Sequence, residues 1–291
     1  MPRFVVEQRV FASWILALSA SLAAWACACG FFSLNDVVPQ RADGGPPADA
    51  RVDAPPADAS DGRPPTDCDG GLLAHWTFDE GDGGTVHDTS GNGNDGTFGA
   101  TPPAWAPGHK GSAVVFARND AGSEYVNLGS QQVWDIPGAM TVAAWMNLGQ
   151  QDGDQHLVGK RNQTGCYGQV SWSLGVEMGS SFFQVPLPGL GCTPQRASGP
   201  SLPLGQWVHV AGVFRPRQEI DFYQDGVLRQ SFATDAGVQG VNYENGAAMR
   251  LGSNPGPLGK SDPEQFVGAL DEVYVWACAL SAEQIAQLAA Q

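Results

Sequence analysis

From Leu72 to the C-terminus, short runs that alternate apolar and polar residues are separated by glycine, proline, asparagine and aspartate. Many short strands joined by turns of this kind indicate an all-β sandwich. Charged residues make up only 15% of the chain, which disfavours coiled coils and helix bundles. We therefore expect an all-β fold with two antiparallel sheets. The candidate strands are Leu72–Asp79, Ser112–Ala117, Glu124–Leu128, Met140–Leu148, Gln155–Lys160, Gln169–Val176, Ser181–Val185, Gln206–Phe214, Glu219–Gln224, Val227–Phe232, Ala248–Leu251 and Gln265–Trp276.

The sequence also predicts one short helix, at the C-terminal end. Ser281 and Gln284 have the spacing of a capping box, and Ile285 and Leu288 would lie on one face of the helix that follows. The dipeptide Asp225-Gly226 between two strand patterns predicts a tight hairpin, because both residue types tolerate the positive φ angles of such a turn.

Residues 1–26 have the pattern of an export signal. Arg3 and Arg9 frame a basic start, an apolar stretch follows from Val10 to Ala24, and Ala24-Trp25-Ala26 forms a small-x-small cleavage site directly before Cys27. A cysteine in this place predicts a bacterial lipoprotein that carries its lipid on Cys27. Simple secretion and an uncleaved N-terminal anchor remain alternatives. All three place the rest of the chain outside the cytoplasm.

Residues 27–71 are rich in proline, aspartate and alanine, and they offer almost no apolar surface to a core. We predict a disordered linker here, followed by one sandwich domain over residues 72–291. The net charge of −15 would be repelled by a phosphate backbone, which excludes nucleic acid as a partner. We expect a monomer that touches a membrane only through a lipid or an N-terminal anchor.

Beyond Cys27 and Cys29, the chain has four cysteines. An even number in an exported chain favours disulfides, and four cysteines allow three pairings. We favour Cys166 with Cys192, which closes one loop-rich excursion, and Cys68 with Cys278, which joins the entry to the first strand with the end of the last. The other two pairings remain open.

Several motifs follow one another in a familiar order: Trp76–Gly81, Asp88–Gly96, Gly111–Phe116, Thr141–Trp145, Gly205–Ala211, Phe222–Gly226, Gly268–Val273 and Ala279–Ile285. This series resembles the concanavalin A-like, laminin-G-like domains. The resemblance covers residues 72–291 and implies a two-sheet antiparallel jelly roll with both ends at one edge. The segment from Cys166 to Cys192 fits the family pattern poorly, so we expect a local elaboration there. The family serves in sugar binding and adhesion, and also as passenger domains beside enzymes.

An acidic loop suggests a metal. From Asp88 to Gly93, oxygen-bearing side chains alternate as in the front half of a calcium loop. The family resemblance adds Asp79 and Asp271, because related sandwiches hold a structural calcium ion where the first and last strands meet. We therefore predict a structural Ca²⁺ bound by Asp79, Asp88, Asn92 and Asp271. The alternative is a polar turn without metal, with Asp271 accepting backbone hydrogen bonds.

One strand resembles the catalytic strand of laminarinase- and lichenase-type glycoside hydrolases, which carries E-x-D-x-E. Glu219 and Asp221 begin this pattern, but Tyr223 or Gln224 stands where the second glutamate is needed. A retaining mechanism requires two carboxyl groups. The sequence contains no G-x-S-x-G, H-E-x-x-H or phosphate-loop motif. We therefore predict no catalytic residues, with the hydrolase as the alternative.

The tryptophans fall into two groups. Those in the family-like strands are predicted to lie in the core: Trp76, Trp145, Trp207 and Trp276. Those in less regular segments are candidates for a sugar-stacking platform: Trp105, Trp134 and Trp172.

Together these patterns favour a non-enzymatic extracellular recognition module whose partner is a glycan or a cell-surface protein. A purely structural envelope lipoprotein is the further alternative. The sequence assigns no ligand-binding residues.

Overall fold

The computed structural model describes Cys68 and residues 71–118, 123–161, 170–187, 194–234, 247–254 and 264–291. The predicted signal, Cys27, Cys166 and Cys192 lie outside these ranges. The strands are β1 Leu72–Trp76, β2 Thr85–Val86, β3 Gly96–Phe98, β4 Ala104–Pro107, β5 Ser112–Phe116, β6 Val126–Asn127, β7 Met140–Leu148, β8 Asp154–Arg161, β9 Val170–Glu177, β10 Ser180–Val185, β11 Gln195–Ser201, β12 Trp207–Arg215, β13 Glu219–Gln224, β14 Val227–Ala233, β15 Met249–Leu251, β16 Ser253–Asn254, β17 Glu264–Gln265 and β18 Gly268–Trp276. A 3₁₀ turn spans Gln132–Trp134, and the helix α1 spans Ala282–Leu288.

The strands form two sheets. Sheet A has the order β14-β13-β12-β7-β18-β5-β4, with β1 also paired to β18. Sheet B has the order β11-β10-β9-β8-β15-β6-β3-β2, and the short strands β16 and β17 join it beside β8. Apart from the β17–β8 contact, the pairings are antiparallel. The predicted all-β, two-sheet sandwich is confirmed.

The core lies between the two sheets and follows from the period-two alternation of the strands. In β7, for example, Met140, Val142 and Ala144 point into the main core, while Ala143 and Trp145 point to the outer face of sheet A. In sheet B, the core positions of β9 are Trp172, Leu174 and Val176. The alternate residues of each strand therefore build two outer faces.

The C-terminal helix covers part of the outer face of sheet A. Ile285 and Leu288 pack there in a second apolar cluster with residues of β7, β12, β13 and β18. The predicted capping box is confirmed: the Ser281 hydroxyl accepts a hydrogen bond from the Gln284 backbone, and the Gln284 side chain accepts one from the Ser281 backbone. Within the described ranges, no helix is both long and apolar enough to cross a membrane.

The two ends of the sandwich meet at one edge. Strand β1 pairs with β18, and a disulfide joins Cys68 to Cys278 with the two Cα atoms 6.1 Å apart. This is the pairing that the sequence favours for these two cysteines. The Cys166–Cys192 pairing falls outside the described residues and stays a prediction.

The segment from Cys166 to Cys192 is not the local elaboration that its poor fit to the family predicts. Strands β9 and β10 lie within it, pair with each other and with β8 and β11, and contribute Trp172 and Phe183 to the core. Strands β2, β3, β4, β11 and β16 were not expected from the sequence. β4 and β11 are edge strands that contain proline, which breaks the alternating apolar pattern.

A buried ion pair fixes the 3₁₀ turn to sheet B. The Lys160 ammonium group is fully buried and contacts the Asp135 carboxylate, whose side chain is 8% exposed. Burial lowers the pKa of Lys160, because the charged form loses its hydration. Each charge in this pair is therefore tolerated only because the other is present.

Replacing Lys160 by alanine should lower the free energy of unfolding by about 3–5 kcal/mol, because Asp135 would be left as an uncompensated buried charge. Urea denaturation followed by tryptophan fluorescence measures this. The matched control is Lys110→Ala, which removes an exposed lysine that lies 3.7 Å from Glu272 and should cost about 1 kcal/mol or less. Equal losses for the two variants would contradict the structural role of the buried pair.

Candidate functional site

Two of the predicted calcium ligands belong to a polar turn that needs no metal. The Asp88 carboxylate accepts hydrogen bonds from three backbone N–H groups at 2.9–3.0 Å. Asn92 donates its amide N–H groups to two backbone carbonyls of β1. Asp88 and Asn92 therefore each have a structural role in this turn, and their part in a calcium site stays a prediction.

The other two predicted ligands meet at the turn between β4 and β5. Asp79 accepts a hydrogen bond from the Ser112 backbone at 3.1 Å, and Asp271 accepts one from the Lys110 backbone at 2.9 Å. Asp271 is fully buried, and this burial, together with the charges of Glu272 and Asp79, raises its pKa to about 6. Both carboxylates are therefore tied to this turn by backbone hydrogen bonds.

The four predicted ligands are therefore not one site. In the part of the chain that the structure describes, no group of three or more histidine, cysteine, aspartate or glutamate side chains is arranged to hold a metal. Calcium at Asp79 and Asp271 stays a prediction that would depend on backbone carbonyls for its remaining ligands.

The hydrolase-like strand β13 is tied into the sheet by an arginine. Arg215 contacts the Asp221 carboxylate, lies 3.5 Å from Glu219 and donates a hydrogen bond to the Leu280 carbonyl at 2.8 Å. Asp221 is only 3% exposed, and Tyr223 packs against the cluster that α1 covers. Glu219 and Asp221 thus share one structural partner.

Several tryptophans do not lie where the sequence predicts. Trp134 and Trp172 are fully buried in the core, so their assignment to a sugar-stacking platform is wrong. Trp145 and Trp207, predicted to lie in the core, are half-buried on the outer face of sheet A, where the His109 ring stacks on Trp145 at 3.6 Å. The period-two pattern identifies the strands but does not say which outer position is covered. Trp76 and Trp276 are buried, as predicted, and Trp105 is half-buried.

A set of polar side chains lies on the outer face of sheet B, and we call it the polar cluster. Its members are Asp154, His156, Ser173, Gln184, Asn254 and Glu264, which come from five neighbouring strands. They occupy positions that alternate with core residues. Ser173, for example, lies between the core residues Trp172 and Leu174.

His156 forms the centre of the polar cluster. Its Nε2 atom lies 2.7 Å from the Glu264 carboxylate, and its ring meets the edge of Phe182 at 5.9 Å. The side chain is only 3% exposed, and its Nδ1 atom is buried without a hydrogen-bond partner.

Asn254 is the most unusual member of the polar cluster. It is fully buried, and both its amide nitrogen and its amide oxygen lack a hydrogen-bond partner. Among the described residues with such unpaired buried atoms, only Asn254 has two. Asn254 is the cross-strand neighbour of Glu264, the residue that contacts His156.

Two glycines make room for these side chains. A methyl group on Gly159 would lie 2.8 Å from the Asn254 amide nitrogen, and one on Gly175 would lie 2.7 Å from the Phe182 ring. Ser173 accepts a hydrogen bond from Gln184 at 2.9 Å between these positions. The buried side chains of the polar cluster, which we call its floor, therefore pack closely against the backbone of β8 and β9.

The rim of the polar cluster carries the charges. Asp154 is exposed, and the guanidinium group of Arg196 lies 5.4 Å from the centre of the Phe182 ring while pairing with Glu177. Partial burial raises the pKa of Asp154, His156 and Arg196 lower it, and Glu264 and Glu177 raise it. The polar cluster therefore combines buried hydrogen-bonding groups with an exposed rim that carries charges of both signs.

No sequence pattern predicts the polar cluster directly. Asn254 and Glu264 lie in two-residue strands, while Ser173 and Gln184 lie in the segment that departs from the family pattern. His156 alternates with core residues, as any outward histidine on a strand would. Polar residues at every outward position of three consecutive strands would have predicted such a cluster.

The pKa of Asp271 predicts a specific pH dependence. An aspartate whose folded pKa of about 6 exceeds its unfolded value of about 3.9 contributes stability below pH 4 that is lost as the pH rises through 6. In a chelator, wild type should therefore lose about 2–3 kcal/mol between pH 4 and 7 relative to Asp271→Asn. Urea denaturation across this pH range measures the difference.

Asp79→Asn serves as the matched variant, since it removes one neighbouring charge and should weaken the same pH dependence. Calcium bound at this turn would favour the ionised carboxylate and abolish the loss in wild type. Parallel pH curves for wild type and Asp271→Asn in chelator would contradict the raised pKa of Asp271. Identical wild-type curves with and without calcium would contradict the predicted calcium site.

The fold has known relatives among solved structures. Domain 4 of AbnA, an extracellular arabinanase from Geobacillus stearothermophilus solved with arabinotriose, is 23% identical, with a TM-score of 0.53 over 75% of this chain and 98% of that chain. The binding domain of botulinum neurotoxin DC, solved with rat synaptotagmin II, is 11% identical, with a TM-score of 0.57 over 76% of this chain and 51% of that chain. A botulinum neurotoxin type C structure, described as dependent on two ganglioside molecules for cell entry, is 13% identical, with a TM-score of 0.55 over 76% and 51% of the two chains.

The chain thus spans about half the length of the toxin domains and nearly all of the arabinanase domain. At these identities the likeness shows a shared fold. A search of curated protein sequences found no match. The family model Laminin_G_3, described as the concanavalin A-like lectin/glucanases superfamily, matches residues 120–286, more than half of the chain. With its two-sheet sandwich, the chain belongs to this superfamily.

Proposed function

We propose that this chain is an extracellular, non-catalytic carbohydrate-binding module and that the polar cluster on sheet B is its binding site. The observation that carries the proposal is Asn254, whose two amide atoms are buried without partners in the same cluster as the unpaired His156 Nδ1 atom. Each unmade hydrogen bond of a buried group costs about 1–3 kcal/mol. A ligand that supplies these hydrogen bonds would recover that free energy on binding.

Sugar hydroxyls suit this arrangement. A hydroxyl group both donates and accepts, so adjacent hydroxyls can pair with the amide nitrogen and the amide oxygen of one asparagine. Glu264 is the cross-strand neighbour of Asn254, and its carboxylate oxygens can only accept hydrogen bonds. Specific sites for small ligands generally combine a few such fixed polar groups with an enclosed floor.

Known relatives of the fold are compatible with binding. The arabinanase domain was solved with arabinotriose, and the neurotoxin domains are described with a protein receptor or with gangliosides. An extracellular location is supported by the export pattern of residues 1–26, and a lipid on Cys27 would hold the domain at the cell envelope. The negative charge of the chain agrees with a partner other than nucleic acid.

The hydrolase alternative has less support. Glu219 and Asp221 are both engaged with Arg215, and no second glutamate follows them on β13. Turnover of mixed β-glucans that is lost in Glu219→Gln would establish the hydrolase in place of the binding module. A structural envelope lipoprotein would show neither turnover nor saturable glycan binding.

Asn254→Leu should abolish glycan binding without weakening the fold. Leucine has a similar branched shape and removes two unpaired buried polar atoms, so the free energy of unfolding should stay equal or rise by about 1–3 kcal/mol. A glycan array identifies the bound sugar, and isothermal titration with that sugar and thermal unfolding compare the variant with wild type.

The matched control is Asn127→Leu, at an exposed position of the same sheet, which should bind like wild type. Asn254→Leu that binds normally would remove the polar cluster as the site. A stable wild type that binds no sugar on the array would overturn the proposed function.

A further inference from the structure

We propose that the polar cluster selects uncharged sugars and rejects sugars that carry a carboxylate or sulfate group. This inference rests on the proposed function and names the ligand class of that same site. It follows from the hydrogen-bonding capacity of the floor and from the charges at the rim.

The His156–Glu264 contact fixes the role of one ring nitrogen. A carboxylate only accepts hydrogen bonds, so the Nε2 atom that lies 2.7 Å from Glu264 must carry a proton. The Nδ1 atom is buried without a partner. A hydroxyl group can donate to this atom or accept from it, whereas a carboxylate or sulfate group can only accept.

Asn254 also favours hydroxyl groups over anionic groups as partners. Its nitrogen needs an acceptor and its oxygen needs a donor, and both atoms are unpaired in the buried floor. A pair of neighbouring hydroxyls satisfies both atoms. An anionic group would satisfy only the nitrogen, and the amide oxygen would keep its full desolvation cost.

The charges around the floor also disfavour an anion. Glu264, Glu177 and Asp154 are close enough for the two glutamates to raise the pKa of Asp154, after the larger effect of its partial burial. The cation at this rim, Arg196, already pairs with Glu177. An anionic sugar would therefore meet the carboxylates of Asp154 and Glu264, while His156 and Arg196 each already contact a carboxylate.

Matched sugar pairs test this selectivity directly. The probes are lactose with 3′-sialyllactose, and galactotriose with tri-galacturonate, together with the neutral and acidic members of a glycan array. Among the pairs that bind, the neutral sugar should bind about tenfold more tightly or better, which corresponds to about 1.4 kcal/mol. Asn254→Leu should remove the binding of the neutral member.

Asp154→Asn removes one rim charge. It should lower the ratio of the affinity for the neutral sugar to the affinity for the acidic sugar. Asp82→Asn removes an exposed charge in the loop between β1 and β2 and should leave the ratio unchanged. An unchanged ratio in Asp154→Asn would show that the rim charge plays no part and would overturn that step.

The failures of the two proposals are distinguishable. Tighter binding of the acidic members that is lost in Asn254→Leu would overturn the ligand class and leave the binding site in place. Neutral binding that survives Asn254→Leu would overturn the site and the inference together. A folded protein that binds no member of the array would overturn the proposed function itself.

Discussion

The pairing of β18 with three earlier strands is the constraint on which the rest of the structure depends. This strand pairs with β1, β5 and β7, so it joins the first, middle and last parts of the described sandwich in one sheet. The disulfide between Cys68 and Cys278 closes the same edge. Once sheet A is fixed in this way, its apolar face must be covered, and sheet B covers it with the inward residues of β8, β9 and β10. The outward residues of those three strands then lie side by side, and they form most of the polar cluster.

Much of the fold could be predicted because it follows from local rules. Alternation identifies the long strands, Asp225 and Gly226 adopt the positive φ angles of their hairpin, and Ser281 begins the C-terminal helix. The missed strands are β2, β3, β4, β11 and β16. Of these, β4 and β11 lie at sheet edges, where proline and glycine are tolerated and apolar alternation is not required. The burial of Trp145 and Trp207 was overestimated because alternation alone does not show which outer face is covered, and α1 covers only part of that face.

The candidate site could not be predicted for a different reason. Its central residues, His156, Asn254 and Glu264, come from β8, β16 and β17, and only the pairing of these strands brings them together. The family resemblance directed attention to the acidic residues instead. Asp88 and Asn92 are used by a turn, while Asp79 and Asp271 hold the β4–β5 turn. An unpaired buried amide is a property of the packed structure, and no sequence pattern records it.

The binding site can be located most directly by nuclear magnetic resonance, through the side-chain amide of Asn254 and the ring nitrogens of His156. Titration with a neutral oligosaccharide should shift the Asn254 amide signals and the His156 Nδ1 signal together, in a saturable manner, because both groups gain hydrogen bonds. Shifts confined to the outer face of sheet A, around Trp145 and His109, with the Asn254 signals unchanged, would contradict the polar cluster as the binding site.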